Sequence, residues 1–135
     1  MTMSVVNPVV VGVDGSPSSV AALHLAVSEA LRRHSELDIV CVAPPEASDV
    51  QVAGSYEMLA EIVSREFPDG VPVGTRYQVR CGDPAPMLLS ESFGAALLVL
   101  GGPVQAGYSR LFGTRTVSRC LKHGRCPIEV SPGVE

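Results

Sequence analysis

The residues best suited to chemistry lie in Leu97–Ser118, LLVLGGPVQAGYSRLFGTRTVS. An apolar run, a glycine-bearing loop and a helix start follow one another there. That order points backbone N–H groups and the positive end of a helix dipole at one spot, which suits an anion. The cations fit the same chemistry. No Asp or Glu occurs between Ser92 and Ile128, whereas Arg110, Arg115, Arg119, Lys122 and Arg125 all do. Lys122 and Arg125 fall near the helix C-terminus and complement its dipole without a ligand. Arg110 and Arg115 flank the N-terminus, where positive charge wants a negative partner. A phosphate, a carboxylate of a neighbouring subunit, or plain solvent are the alternatives. Asp14 ends an early apolar run, VVVGVD. It could touch a ribose or a phosphate-bound metal, or simply hold the Asp14-Gly15-Ser16 turn.

Other chemistries lack their residues. No Gly-Lys-Ser/Thr loop occurs, so the Walker phosphate cradle is absent. No paired carboxylates, Ser/His/Asp set or metal-ligand spacing stands out, and His24, His34 and His123 are scattered along helices. The chain is therefore not expected to be an enzyme beyond, at most, a weak ATPase. The four cysteines, Cys41, Cys81, Cys120 and Cys126, match neither a zinc site nor a CxxC pair. Cys41 and Cys81 read as small strand hydrophobes, and a Cys120–Cys126 disulfide is not expected in a reducing compartment. A net charge of −4 argues against a nucleic-acid partner. No apolar run is long enough to span a bilayer, and the N-terminus lacks the cationic start of a signal peptide. No membrane association and a cytoplasmic location are the expectations.

Five strands and four helices would position these residues. Pro8–Val13 is apolar throughout and reads as a strand buried on both faces. Ser16 caps, and Pro17 opens, a helix running to about His34, with Val20, Leu23, Val27, Ala30 and Leu31 on one stripe. Leu37–Ala43 is a second strand. A polar loop follows Pro44-Pro45 to about Gly54, and Tyr56, Leu59, Ile62, Val63 and Phe67 then make a second helical stripe. Val73–Cys81 alternates apolar and polar residues, the mark of a strand with one wet face. A short helix enters at Asp83-Pro84 and carries Leu88, Leu89 and Phe93. Ala95–Leu100 is a further buried strand. A last helix carries Val117, Cys120 and Leu121, Gly124 ends it, and Ile128 and Val130 alternate in a final strand.

The resulting βαβαβαβαβ order predicts an α/β fold in one domain spanning residues 1–135. It is an open parallel sheet with right-handed crossovers and helices on both faces. All-apolar strands belong in the middle and alternating ones at the edges, which selects the strand order 3-2-1-4-5. The switch point then falls between the first and fourth strands, where ligands of open α/β sheets bind.

Three segments resemble the universal stress protein family: VVVGVDGSPSS (Val9–Ser19), CGDPAPMLL (Cys81–Leu89), and LLVLGG with LFGTRTVSRCLKHGRCPIEV (within Leu97–Val130). The resemblance covers nearly the whole length, in order. It implies an adenine-nucleotide site for ATP or a relative, with or without Mg²⁺. Gly12 and Asp14 would lie beside the ribose or phosphates, and Val42 would meet the adenine through its backbone. Gly101, Gly113, Thr114 and Thr116 would meet the phosphates and ribose. Nucleotide-binding members carry Gly-x-x-Gly-x9-Gly-Ser/Thr. Here Val104 replaces the second glycine, and eight residues, not nine, precede Gly113. The loop either takes another path around a phosphate, helped by Gly102, Pro103 and Gly107, or is a surface connection in a nucleotide-free signalling or scaffold module. The resemblance also implies a homodimer in which the edge strand, residues 127–131, pairs with its twin.

Overall fold

Four consecutive small apolar residues leave a strand no face for water, and Val9–Gly12 (β1) is buried along its whole length. The computed structural model describes residues 7–102 and 114–131. After β1 come α1 (Pro17–Arg33), β2 (Leu37–Ala43), α2 (Asp49–Glu66), β3 (Thr75–Cys81), α3 (Pro84–Glu91), β4 (Leu97–Gly101), α4 (Thr114–His123) and β5 (Ile128–Ser131). The sheet is parallel with order β3-β2-β1-β4-β5, as expected. β2 and β4, like β1, are buried throughout, whereas β3 and β5 close the edges.

Two apolar layers sandwich the sheet. Val9, Val11, Ile39, Cys41 and Val99 pack with Ala22, Leu23 and Ala26 of α1 and Leu59 and Ile62 of α2. The alternate residues Val10, Val40, Val42, Leu98 and Leu100 pack with Ala85 and Leu88 of α3 and Cys120 of α4. The strand period of two thus assigns α1 and α2 to one face and α3 and α4 to the other. Right-handed crossovers require this division when the chain reverses its direction of travel across the sheet.

Several expectations are corrected. The segment up to Gly54 is not a loop: α2 already begins at Asp49. Ser48 caps it, its Oγ accepting from the Gln51 N–H at 3.2 Å while Gln51 Oε1 accepts from the Ser48 N–H at 2.8 Å. This capping box satisfies two helix-end donors and outweighs the low helix propensity of Gly54. β3 starts at Thr75, not Val73, and its alternation is incomplete. Val79 is buried, but Tyr77 and Cys81 on the same side are exposed at the sheet edge. Cys81 is therefore not a core residue, although Cys41 is. Leu31, Tyr56, Phe93 and Leu121 also leave their expected stripes and face solvent. No disulfide joins any two of the four cysteines. Among the described residues, no helix is long and apolar enough to cross a membrane.

Candidate functional site

The sheet opens where β1 and β4 part: β1 leads into α1 on one face and β4 toward α4 on the other. The register pairs Gly12 with Val40 and Val11 with Val99, so Asp14 comes level with Val42, and Gly101 with Val13. Sequence-expected residues on three different strands therefore meet at one height, at the carboxyl end of the sheet.

Hydrogen bonds hold the turn after β1. The Ser16 N–H donates to Asp14 Oδ1 at 2.9 Å, and the Asp14 N–H donates to Ser19 Oγ at 3.2 Å. Ser19 Oγ donates in turn to the Ser16 carbonyl at 2.9 Å, while Ser16 Oγ accepts from the Ser19 N–H and caps α1. Gly15 has φ +90°, a conformation that favours glycine in so tight a turn. Asp14 thus has a structural task in addition to any ligand contact.

Val42 presents its backbone to the opening. The Val13 N–H donates to the Val40 carbonyl, and the Gly82 N–H donates to the Ala43 carbonyl. Residues of a parallel ladder address alternate neighbours, so Val42 directs its N–H and C=O toward the β1 side. β1 has left the sheet at that level. The Val42 side chain faces the α3–α4 layer, so the residue contributes a backbone donor and acceptor to the opening.

Gly101 ends β4 against α1. A Cβ there would lie 2.8 Å from the Ser18 carbonyl carbon and oxygen and 2.9 Å from Ser18 Oγ. The glycine is thus required by helix–strand packing alone. Thr114 opens α4, and Thr116 lies half-buried in its first turn, which contains no acidic residue and carries an exposed Arg115. Gly113, Val104 and Arg110 lie outside the described residues.

Two features had no sequence signal. Ser18 is fully buried, and among the described residues its hydroxyl has no hydrogen-bond partner. Arg119 of α4 donates to Asp83 Oδ2 at 3.0 Å, tying α4 to the start of α3 across 36 residues of chain. Below the opening, burial pushes the Cys41 thiol up to about 11, with Ser55 and Asp14 as smaller influences, so it is not a nucleophile at neutral pH. Among the described residues, no group of three or more His, Cys, Asp or Glu side chains could hold a metal ion.

Comparison with known proteins matches this architecture. The model of the universal stress protein family matches residues 6–132. A universal stress protein of Mycobacterium tuberculosis is 33% identical over 129 residues, covering 90% of this chain and 47% of that protein. The chain spans about half the length of the curated relatives it matches. Among solved structures, universal stress protein UspA from Lactobacillus plantarum superimposes with a TM-score of 0.75 at 18% identity, over 96% of this chain and 99% of that one. A universal stress protein in complex with cAMP gives 0.72 at 26% identity, over 96% and 98%. With the strand order, the switch-point opening and the family match in agreement, the chain belongs to the universal stress protein family.

Proposed function

We propose that this chain binds an adenine nucleotide at the carboxyl ends of β1, β2 and β4 and works as a sensor or regulator in a stress response. The observation that carries the reading is the alignment of Asp14 with the outward-facing backbone of Val42 at the end of the sheet toward which β4 leads into α4. An adenine offers donor and acceptor groups along one edge, which a strand backbone can pair. A carboxylate suits ribose hydroxyls, and an acid-free helix N-terminus suits phosphate. The related protein solved with cAMP supports the ligand class. In this reading the backbones of Gly12 and Gly101 lie beside the ligand, and Gly113, Thr114 and Thr116 supply donors to phosphate and ribose. A magnesium ion bound to the nucleotide would add charge neutralisation there. The residues in place bind and orient; a weak ATPase is the most reactive form of the proposal. Equilibrium dialysis or calorimetry with ATP, AMP and cAMP tests it, and no binding at millimolar nucleotide overturns it.

A second reading is a nucleotide-free dimeric signalling or scaffold module. It is favoured by the structural tasks already assigned to Gly101 and Asp14, which need no ligand. Val104 and the shortened loop favour it too, since a β-branched residue resists the positive φ that a glycine allows. A Val104→Gly variant with one added loop residue should then bind nucleotide where the parent does not. Both readings include a cytoplasmic homodimer formed by β5 and its flanking Pro127, an edge that would otherwise present an unpaired ladder to solvent. Sedimentation analysis with a proline replacing Val130 tests that pairing.

A further inference from the structure

Gly54 sits inside α2, where a glycine weakens the helix, and nothing lies within 4 Å of where its Cβ would be. The protein's own packing therefore gives no reason for it. What it does is open one wall of a groove of about 380 Å³ between α2 and the β1–α1 turn. Gly15, Met58 and Ile62 line the groove, and Glu57 and Glu61 stand on it one helical turn apart. Like charges at that spacing repel. Among the described residues neither glutamate is paired: Arg65, at the end of the groove, directs its Nε to Glu66 at 3.1 Å.

The complement is on the opposite face of the sheet. The outer surface of α4 carries Arg115, Ser118, Leu121 and Lys122, with exposed Arg125 just beyond the helix. Leu121 is 55% exposed in the midst of these polar groups. The two surfaces match in kind. One offers an apolar floor beneath two carboxylates, and the other an exposed leucine beside cations, none of them paired among the described residues. They lie on opposite faces of one sheet, so they cannot meet within a single chain.

We propose that the α2 groove receives α4 of a second copy of this chain, with Leu121 over Met58 and Ile62 and with Lys122 and Arg125 against Glu57 and Glu61. The missing side chain at Gly54 lets the incoming helix approach closely. The contact is heterologous, joining unlike surfaces, so it builds rings or chains of copies. It uses neither β5 nor any residue assigned to the nucleotide, although Gly15 of the groove adjoins Asp14. It also resists salt poorly, because its charges are rim charges.

Sedimentation velocity at low and high salt tests the contact. The wild type should form species larger than a dimer at low salt, dissociating as salt is raised. Glu57→Lys/Glu61→Lys and, separately, Lys122→Glu/Arg125→Glu should each weaken this assembly about tenfold or more, and mixing the two variants should restore it. Gly54→Gln should block it while raising the thermal midpoint, which separates lost association from lost folding. A wild type never larger than a dimer, charge variants that assemble like the parent, or an equimolar mixture that stays apart would each overturn the proposal. So would a small polyamine such as spermidine saturating the groove with no effect on assembly.

Discussion

Replacing Gly101 by alanine should destabilise the protein whether or not a nucleotide binds. The added methyl would meet Ser18 at 2.8 Å from its carbonyl carbon and oxygen, against an ordinary contact of 3.4–4 Å. The shortfall is about 0.6 Å at least, and the obstructing atoms are helix backbone, which no rotamer change can move. The strand must sink or α1 must lift at its first turn, where Ser16 caps it and Ser19 braces Asp14. Overpacking of this kind costs about 1–3 kcal/mol. At about 4 °C per kcal/mol for a domain of this size, the midpoint should fall by ~4–12 °C. Thermal unfolding by circular dichroism, without added nucleotide, reads this directly. Adding Ser18→Ala should recover little, since only the 2.9 Å Oγ contact is relieved and the two backbone contacts remain. A Gly101→Ala variant that unfolds at the parent's temperature would refute the argument and return Gly101 to a purely ligand-directed role.

Three further outcomes are expected. Ser16→Ala removes the acceptor for the Ser19 N–H, a cap bond of 3.3 Å, and should cost about 0.5–1 kcal/mol in urea unfolding; an unchanged midpoint would show that the turn holds without it. In the native protein at pH 8 a thiol reagent should modify exposed Cys81 first and leave Cys41 and Cys120 untouched, because burial pushes both of the latter thiols up to about 11. Mass spectrometry before and after urea would read this, and early labelling of Cys41 would contradict it. Glu66 is held below the usual carboxylate range by the His24 ring nitrogen at 2.8 Å and by Arg65. Its folded pKa is depressed, so its contribution is complete above the unfolded value and lost as pH falls through the folded one. The stability difference between wild type and Glu66→Gln should therefore shrink between about pH 5 and 3; a difference that stays constant with pH would exclude the ion pair as its source.

Much of the fold could be read along the chain because the signals are local. Uninterrupted apolar runs such as Val9–Val13 and Leu97–Leu100 announce doubly covered strands, and the Ser16-Pro17 pair announces a helix start. Those runs, set against the broken pattern of Val73–Cys81, also sorted centre from edge and so yielded the strand order. Side-chain exposure at element ends was less legible. Leu31, Phe93 and Leu121 sit at helical spacing, yet whether a neighbour covers them depends on where the helix ends and how it lies on the sheet. The start of α2 was missed because serine, aspartate and glycine suggest a loop until the reciprocal Ser48–Gln51 bonds are seen.

For the site, the sequence by itself determined which residue types were present: Asp14, the glycines, and an acid-free basic segment. Only the tertiary structure decided what surrounds them. The register brought Asp14 level with Val42, and strand alternation turned the Val42 backbone toward the space that β1 leaves. The packing of α1 gave Gly101 a steric reason that loop chemistry had obscured, and buried Ser18 completely. The physical reason is one of range. Periodicity, capping and turn chemistry act over a few residues and are written in order along the chain. Contact between β4 and α1, or between Arg119 and Asp83, joins distant segments at distances set by the whole sheet.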